Sequence, residues 1–155
     1  KNTEYSMKAK VYKIRKNSKI PERAHKSDAG MDFFFCPSIG NHALIRPGDS
    51  VILETGVKVE VPEGHMLQIM NKSGIATKRS LITGACVVDR GYDGEIFINL
   101  HNIGIEPQVI ESGNKLAQGV FVKISTPSLV EVSEDAIYGE STDRGDGGFG
   151  STGDS

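Results

Sequence analysis

Apolar and polar residues alternate in short segments along most of this chain. Val57, Val59 and Val61 alternate with Lys58 and Glu60, Ile96, Ile98 and Leu100 with Phe97 and Asn99, and Val120, Val122 and Ile124 with Phe121 and Lys123. A period of two puts every second side chain on one face, so each run predicts a half-buried β-strand. Further strand candidates hold Val11 and Ile14, Val51-Ile52-Leu53, and Met66 to Met70. Turn signals separate them: Pro47-Gly48-Asp49, Pro62-Glu63-Gly64, Asp93-Gly94 and Ser112-Gly113. Many short strands at this spacing predict an all-β sandwich or barrel. Helical periodicity is weak; one short helix, Ile75 to Leu81, is expected after Ser73-Gly74.

Composition narrows this. The chain has 155 residues, a net charge of −2, 6% aromatic residues, no Trp and 18 Gly. That length suits one domain with an aliphatic core that is thin for its size. Such a core fits either a loop-rich monomer or a subunit that completes its burial against copies of itself. No stretch approaches the roughly 18 apolar residues of a spanning helix, and no apolar run resembles a signal peptide. The near-neutral charge argues against stable nucleic-acid binding. Cys36 and Cys86 cannot build a disulfide framework or a zinc cage, so a cytoplasmic, reducing setting is expected, with nucleus, organelle and virus-infected cell left open. From Gly139 onward glycine dominates and Phe149 is the only large apolar residue. This predicts a β domain over 1–138 and a flexible Gly-rich tail over 139–155, either a disordered end or a clasp that orders over a ligand.

The four histidines lack metal spacing, and no nucleophile signature or Walker loop is present. What remains is five small polar clusters. Asp28-Ala29-Gly30-Met31-Asp32 reads alone as a turn. Asn71-Lys72-Ser73-Gly74 opens the expected helix; it suits an anion cradle, though a plain Ser N-cap is the preferred reading of the segment by itself. Gly84 to Glu95 reads as a hairpin in which Asp89 follows apolar Val87-Val88. A carboxylate there is costly unless hydrogen-bonded or functional. Gly113-Asn114-Lys115-Leu116-Ala117-Gln118 places Gln118 at the start of the Val120 strand. Arg144-Gly145-Asp146-Gly147-Gly148-Phe149-Gly150-Ser151-Thr152-Gly153 joins a guanidinium, free amides, hydroxyls and one ring, a set suited to polyphosphate and a stacked base.

Taken in this order, the five clusters resemble the five motifs of the trimeric dUTPases, the dUTP diphosphatases, from about Asp28 to Thr152. The third cluster and the glycine-rich tail carry most of the specificity. The resemblance implies a jelly-roll-like β-barrel subunit with at most one short helix, assembling as a homotrimer. Motifs of two subunits would form each site and the tail of a third would close it. It implies hydrolysis of dUTP to dUMP and pyrophosphate, which limits uracil in DNA and supplies dUMP for thymidylate synthesis. Mg²⁺ would be held by the triphosphate without a direct protein ligand, Asp32 reaching it at most through water. By the same resemblance Asp89 activates the attacking water and touches the 3′-hydroxyl. Tyr92 packs on deoxyribose and rejects a 2′-hydroxyl. Backbone groups of Cys86, Val87, Val88 and the region of Phe97 pair with uracil. Lys72, Ser73, Gly74 and Gln118 hold phosphates, Arg144 reaches the γ-phosphate, and Phe149, with Gly150 beside it, covers the base.

The chain departs from the family pattern at five positions. Asn71-Lys72 stands where Pro-Arg is usual, and Lys keeps the charge but loses the planar fork. Cys86 stands for Gly, Gly91 for Asp, and Asp93 for Arg or Gln. None removes a catalytic group. The related dCTP deaminases need a Glu where Asn99 stands, and Asn cannot shuttle protons. A regulator on the same scaffold, or a plain β domain with a loose tail, would not need all five clusters together.

Overall fold

The computed structural model describes residues 7–150 and residue 153, in two units, one ending at Ser125 and one beginning at Thr126. The first holds eleven strands and the only α-helix among the described residues. A four-stranded sheet has the order β2 (Met31–Phe34), β11 (Lys115–Lys123), β6 (His65–Met70), β8 (Val87–Val88). A three-stranded sheet has the order β4 (Ser50–Glu54), β9 (Phe97–Asn102), β7 (Leu81–Thr83). Two ribbons complete the unit: β1 (Val11–Lys13) with β5 (Val57–Val59), and β3 (His42–Ile45) with β10 (Gln108–Glu111). All these pairings are antiparallel. The all-β class with one short helix is as the alternation predicts, and no helix among the described residues is long and apolar enough to cross a membrane.

The alternation decides the faces. On β9, Ile98 and Leu100 are buried while Phe97 is exposed, and on β5, Val57 and Val59 are buried around exposed Lys58. These side chains join Phe33, Ile45, Leu67, Ile69, Leu81 and Ile110 in one core. Each such burial contributes about 1.5–3 kcal/mol. β2 breaks the rule of two: all four residues of Met31-Asp32-Phe33-Phe34 are buried. One edge of β2 pairs with β11, and Asp32 bridges to Glu22 on the other.

Three local expectations are corrected. The helix α1 spans Ser73–Arg79, not Ile75 to Leu81. Ser80 takes the left-handed conformation (φ 53°) and ends it, and Leu81 is buried in β7, paired with Asn102. Ser73 is the first helical residue, not the N-cap; Lys72 holds that position and its side chain makes no capping bond. The 84–95 segment is not a ladder hairpin, because β8 pairs with β6 and β9 pairs with β4 and β7. Its arms belong to different sheets, and the segment crosses between them.

The second unit has no regular strand among its described residues and one short 3₁₀ turn, Glu134–Ala136. Gly145 and Gly150 adopt positive φ, and Arg144 Nε donates to Gly147 O at 2.6 Å, curling the segment on itself. Phe149 is fully exposed, as expected for a segment without a core of its own.

Gly119 on β11 is pressed directly against the apolar core. A Cβ there would sit 2.6 Å from the Phe33 ring and 2.9 Å from Leu67. Gly119→Ala is therefore expected to destabilise the subunit by about 1–3 kcal/mol through overpacking. Urea denaturation checks this; an unchanged midpoint would show that the sheet can part at no cost.

Candidate active site

The first group of predicted site residues gathers on the β2 side of the four-stranded sheet. Asp32 points a carboxylate, 5% exposed, at two ammonium groups: Lys72 Nζ at 2.5 Å and Lys115 Nζ at 3.3 Å. Burial makes an unpaired carboxylate costly, and the two lysines remove that cost and leave a net positive cluster. Gln118, mid-strand in β11 rather than at its start, donates Nε2 to Asn71 O at 2.8 Å. Its carboxamide covers Gly30, where any Cβ would overlap it. So the first, second and fourth clusters meet through Gly30, Asp32, Asn71, Lys72, Lys115 and Gln118. Ser73 and Gly74 follow at the exposed start of α1.

The second group lies where β8 forms the opposite edge of the same sheet. Val87, Val88, Asp89, Tyr92, Glu95 and Phe97 line a cavity of about 220 Å³. Asp89-Arg90-Gly91-Tyr92 closes a turn by Tyr92 N donating to Asp89 O at 3.1 Å. Asp89 is exposed, so the desolvation cost expected for it does not arise within one chain. Tyr92 Oη donates to Glu95 O at 2.6 Å, and its ring lies over Gly94, where a Cβ would come within 2.5 Å of the hydroxyl. Cys86 is exposed, and its carbonyl accepts from Ile69 N at 2.7 Å. An edge strand leaves alternate backbone N–H and C=O groups unpaired, so the outer side of β8 offers hydrogen bonds to a planar ligand.

The two groups do not converge. Lys72 follows the C-terminal end of β6, whereas β8 pairs with Leu67 and Gln68 and runs antiparallel to β6. β8 is paired within β6, two residues or more before the strand ends at Met70, and Lys72 lies beyond that end. Arg144, Phe149 and Gly150 belong to the second unit, while Ser151 and Thr152 lie outside the described residues.

Sequence reasoning missed the pair that braces the second group. Arg15 Nη2 donates to Glu95 Oε2 at 2.8 Å and to Cys36 O at 2.5 Å, and Nη1 reaches Glu95 Oε1 at 3.4 Å. Gly56 N also donates to Glu95 Oε2, at 2.9 Å. The Glu95 hydrogen bond raises the Arg15 pKa beyond its already high value, so this cation stays charged at any working pH. Arg15 and Glu95 are 80 positions apart, and no local pattern could have joined them. Among the described residues no group of three or more His, Cys, Asp or Glu is placed to hold a metal.

Glu95→Ala should cost about 2–4 kcal/mol, because it strands a half-buried guanidinium and a backbone N–H together. Denaturant midpoints measure it; a loss below about 0.5 kcal/mol would show that water replaces the carboxylate freely.

A sequence model of the dUTPase family matches residues 16–153. The deoxyuridine 5'-triphosphate nucleotidohydrolase of Clostridium tetani is 39% identical over 153 residues, covering 97% of this chain and 99% of its own. That of Alkaliphilus metalliredigens is 40% identical over 146 residues, covering 93% and 96%. Among solved structures, a mutant dUTPase of Staphylococcus bacteriophage 80alpha with dUpNHpp superposes with TM-score 0.84 at 29% identity, covering 94% of this chain and 98% of that one. A mutant dUTPase from phage phi11 of S. aureus, described with a structural Mg(II) ion, superposes with TM-score 0.75 at 29% identity, covering 83% and 98%.

Proposed function

The chain belongs to the dUTPase family, and from that membership we propose that it hydrolyses dUTP to dUMP and pyrophosphate, with Asp89 activating the water. The observation that carries the assignment of roles is the β8-edge cavity, where exposed Asp89 and the anchored ring of Tyr92 stand beside free strand-edge backbone. The edge of β8 pairs with the uracil edge around Cys86, Val87 and Val88, and Phe97 bounds the same cavity. Tyr92 packs on deoxyribose; its bond to Glu95 O and the missing Cβ of Gly94 hold the ring where a 2′-hydroxyl would collide. Asp89 accepts the proton of a water whose oxygen bonds the α-phosphorus. The bond to the bridging oxygen of the β-phosphate then breaks, and pyrophosphate leaves.

Lys72, Ser73, Gly74 and Gln118 take the phosphates, and Lys115 adds charge beside them. In one chain these residues stand apart from the β8 cavity, which supports a homotrimer with each pocket built from two subunits. The tail then closes the pocket, Arg144 on the γ-phosphate and Phe149 with Gly150 over the base. The residues fit a metal that arrives with its substrate: Mg²⁺ keeps most of its water and favours phosphate oxygens, while Asp32 is already neutralised by two lysines. When bound, the ion supplies charge neutralisation to the triphosphate. The Asn99 amide is fully engaged with its neighbours and carries no proton to shuttle, which disfavours deamination.

Pyrophosphate release from a panel of nucleoside triphosphates with Mg²⁺ tests the reading. dUTP should be strongly preferred over dTTP, dCTP and UTP. Equal rates on dUTP, dTTP and dCTP would remove the specificity, and no release at all would remove the enzyme. Asp89→Asn should lower turnover on the order of 10³-fold while dUTP still binds. Retained turnover would show that another group activates the water.

Deleting residues from Gly139 onward should leave a trimer by light scattering and cripple catalysis. A monomeric truncated chain would mean that the tail holds the assembly together instead of closing the pocket.

A further inference from the structure

The segment that leaves the three-stranded sheet after β7 and enters the β8 edge is pinned by one residue on β9. Two consecutive amides of the segment end on Asn99: Gly84 N donates to the Asn99 backbone carbonyl at 3.0 Å, and Ala85 N donates to its side-chain Oδ1 at 3.1 Å. The other end of the same carboxamide faces β4, where Asn99 Nδ2 donates to Ser50 Oγ at 3.0 Å and to Val51 O at 2.9 Å. Both amide hydrogens and the oxygen are thus used, and the side chain is a rigid strut from β4 to Ala85. One residue further on, Cys86 O accepts from Ile69 N, and β8 begins at Val87. Gly84 lies so close to the strut that any Cβ there would overlap Asn99 Oδ1 and the His101 ring. The approach is built in; it is not slack.

We infer that Asn99 is a positioning residue for base selection: by holding Ala85 it sets where the backbone of Cys86 to Val88 meets the pyrimidine edge. This rests on the function proposed above. Asn99 itself lines no part of the β8 cavity and touches no reacting atom. Its effect is geometric. A small shift of a hydrogen-bonding edge weakens the pairing that distinguishes one base from another, while Asp89 and Tyr92, held by their own turn and by Glu95, stay in place.

Three variants test it. Asn99→Val removes the strut. Asn99→Asp keeps an acceptor for Ala85 N and loses the donors to β4. Ser50→Ala is a change at an exposed residue that removes one brace and leaves the fold safe. In the unliganded protein, Asn99→Val should speed hydrogen exchange at the Ala85 amide about tenfold, and Asn99→Asp should restore it to near the parent rate. In steady-state kinetics, Asn99→Val should raise KM for dUTP about tenfold and lower the preference for dUTP over dCTP by a similar factor. Its kcat should stay within about twofold, and Asn99→Asp should recover most of the preference. Ser50→Ala should move KM the same way by about twofold, and it alone decides if Asn99→Val does not fold. Unchanged Ala85 exchange, unchanged preference, or a fall in kcat equal for all substrates would overturn the inference. If the parent protein fails to hydrolyse dUTP while Ala85 exchange responds as stated, the proposed function fails and the strut remains.

Discussion

The Glu95 carboxylate is the joint on which the β8 cavity depends. It draws Arg15 from the N-terminal segment and a backbone amide from Gly56, between β4 and β5. Its own carbonyl takes the hydroxyl of Tyr92. One residue therefore fixes a strand ribbon, the entry to β9 and the ring that shapes the cavity. Further contacts offset its desolvation: the guanidinium also reaches Cys36 O, and Glu54 lies 3.7 Å away, while Arg15 Nε is buried without a partner. A lone charge at either position would be a fault in the fold, so the carboxylate and the guanidinium must be kept or lost together.

That joint serves only half of the proposed chemistry. The cationic half is drawn from β2, β11 and the residues that follow β6, around Asp32, Lys72, Lys115 and Gln118, whereas β8 is the far edge strand of the same sheet. A single subunit thus presents a base-side cavity and a phosphate-side cluster as two separate surfaces. Repetition by threefold symmetry would bring unlike surfaces together without any new element. Ile52, Leu44 and Val109 are exposed in the single subunit, apolar surface that the proposed homotrimer would be able to cover.

What the sequence made legible was whatever has a period or an order. The runs at 57–61 and 96–100 alternate because one face of each is buried, and they are strands or extend directly from them. The 120–124 run is also strand, but there Phe121 packs on the core while Val120 and Val122 are half-buried and Ile124 is exposed, so the face predicted by its alternation is not the buried one. β2 could not be read this way, since Met31-Asp32-Phe33-Phe34 is buried throughout and its one carboxylate breaks the apolar run. The 84–95 segment looked like a hairpin because two apolar runs flank a turn; sequence carries the turn but not the choice of partner, and β6 wins one arm while β4 and β7 win the other. Ser73 looked like a cap for its chemistry alone, yet the chain enters the helix one residue earlier, with Lys72 at the N-cap and its side chain on Asp32 instead of on the helix end. The order of five clusters was sufficient for the family. Arg15 and Asn99 were not legible, because their importance lies in partners brought near only by the fold.

The substitution of Lys at position 72 takes on a physical meaning from this geometry. A guanidinium would offer Asp32 a planar two-point contact and could hold phosphate with its remaining donors at the same time. An ammonium is a compact charge with three donors on a flexible stem. With Nζ 2.5 Å from Asp32 and Lys115 on the other carboxylate oxygen, the cluster carries two positive charges against one negative. It can therefore attract a triphosphate before any bond to Asp32 is broken. Under the proposed role, Lys115 would keep the Asp32 carboxylate paired when Lys72 turned to phosphate, so that a second lysine would offset the donors an ammonium lacks beside a guanidinium.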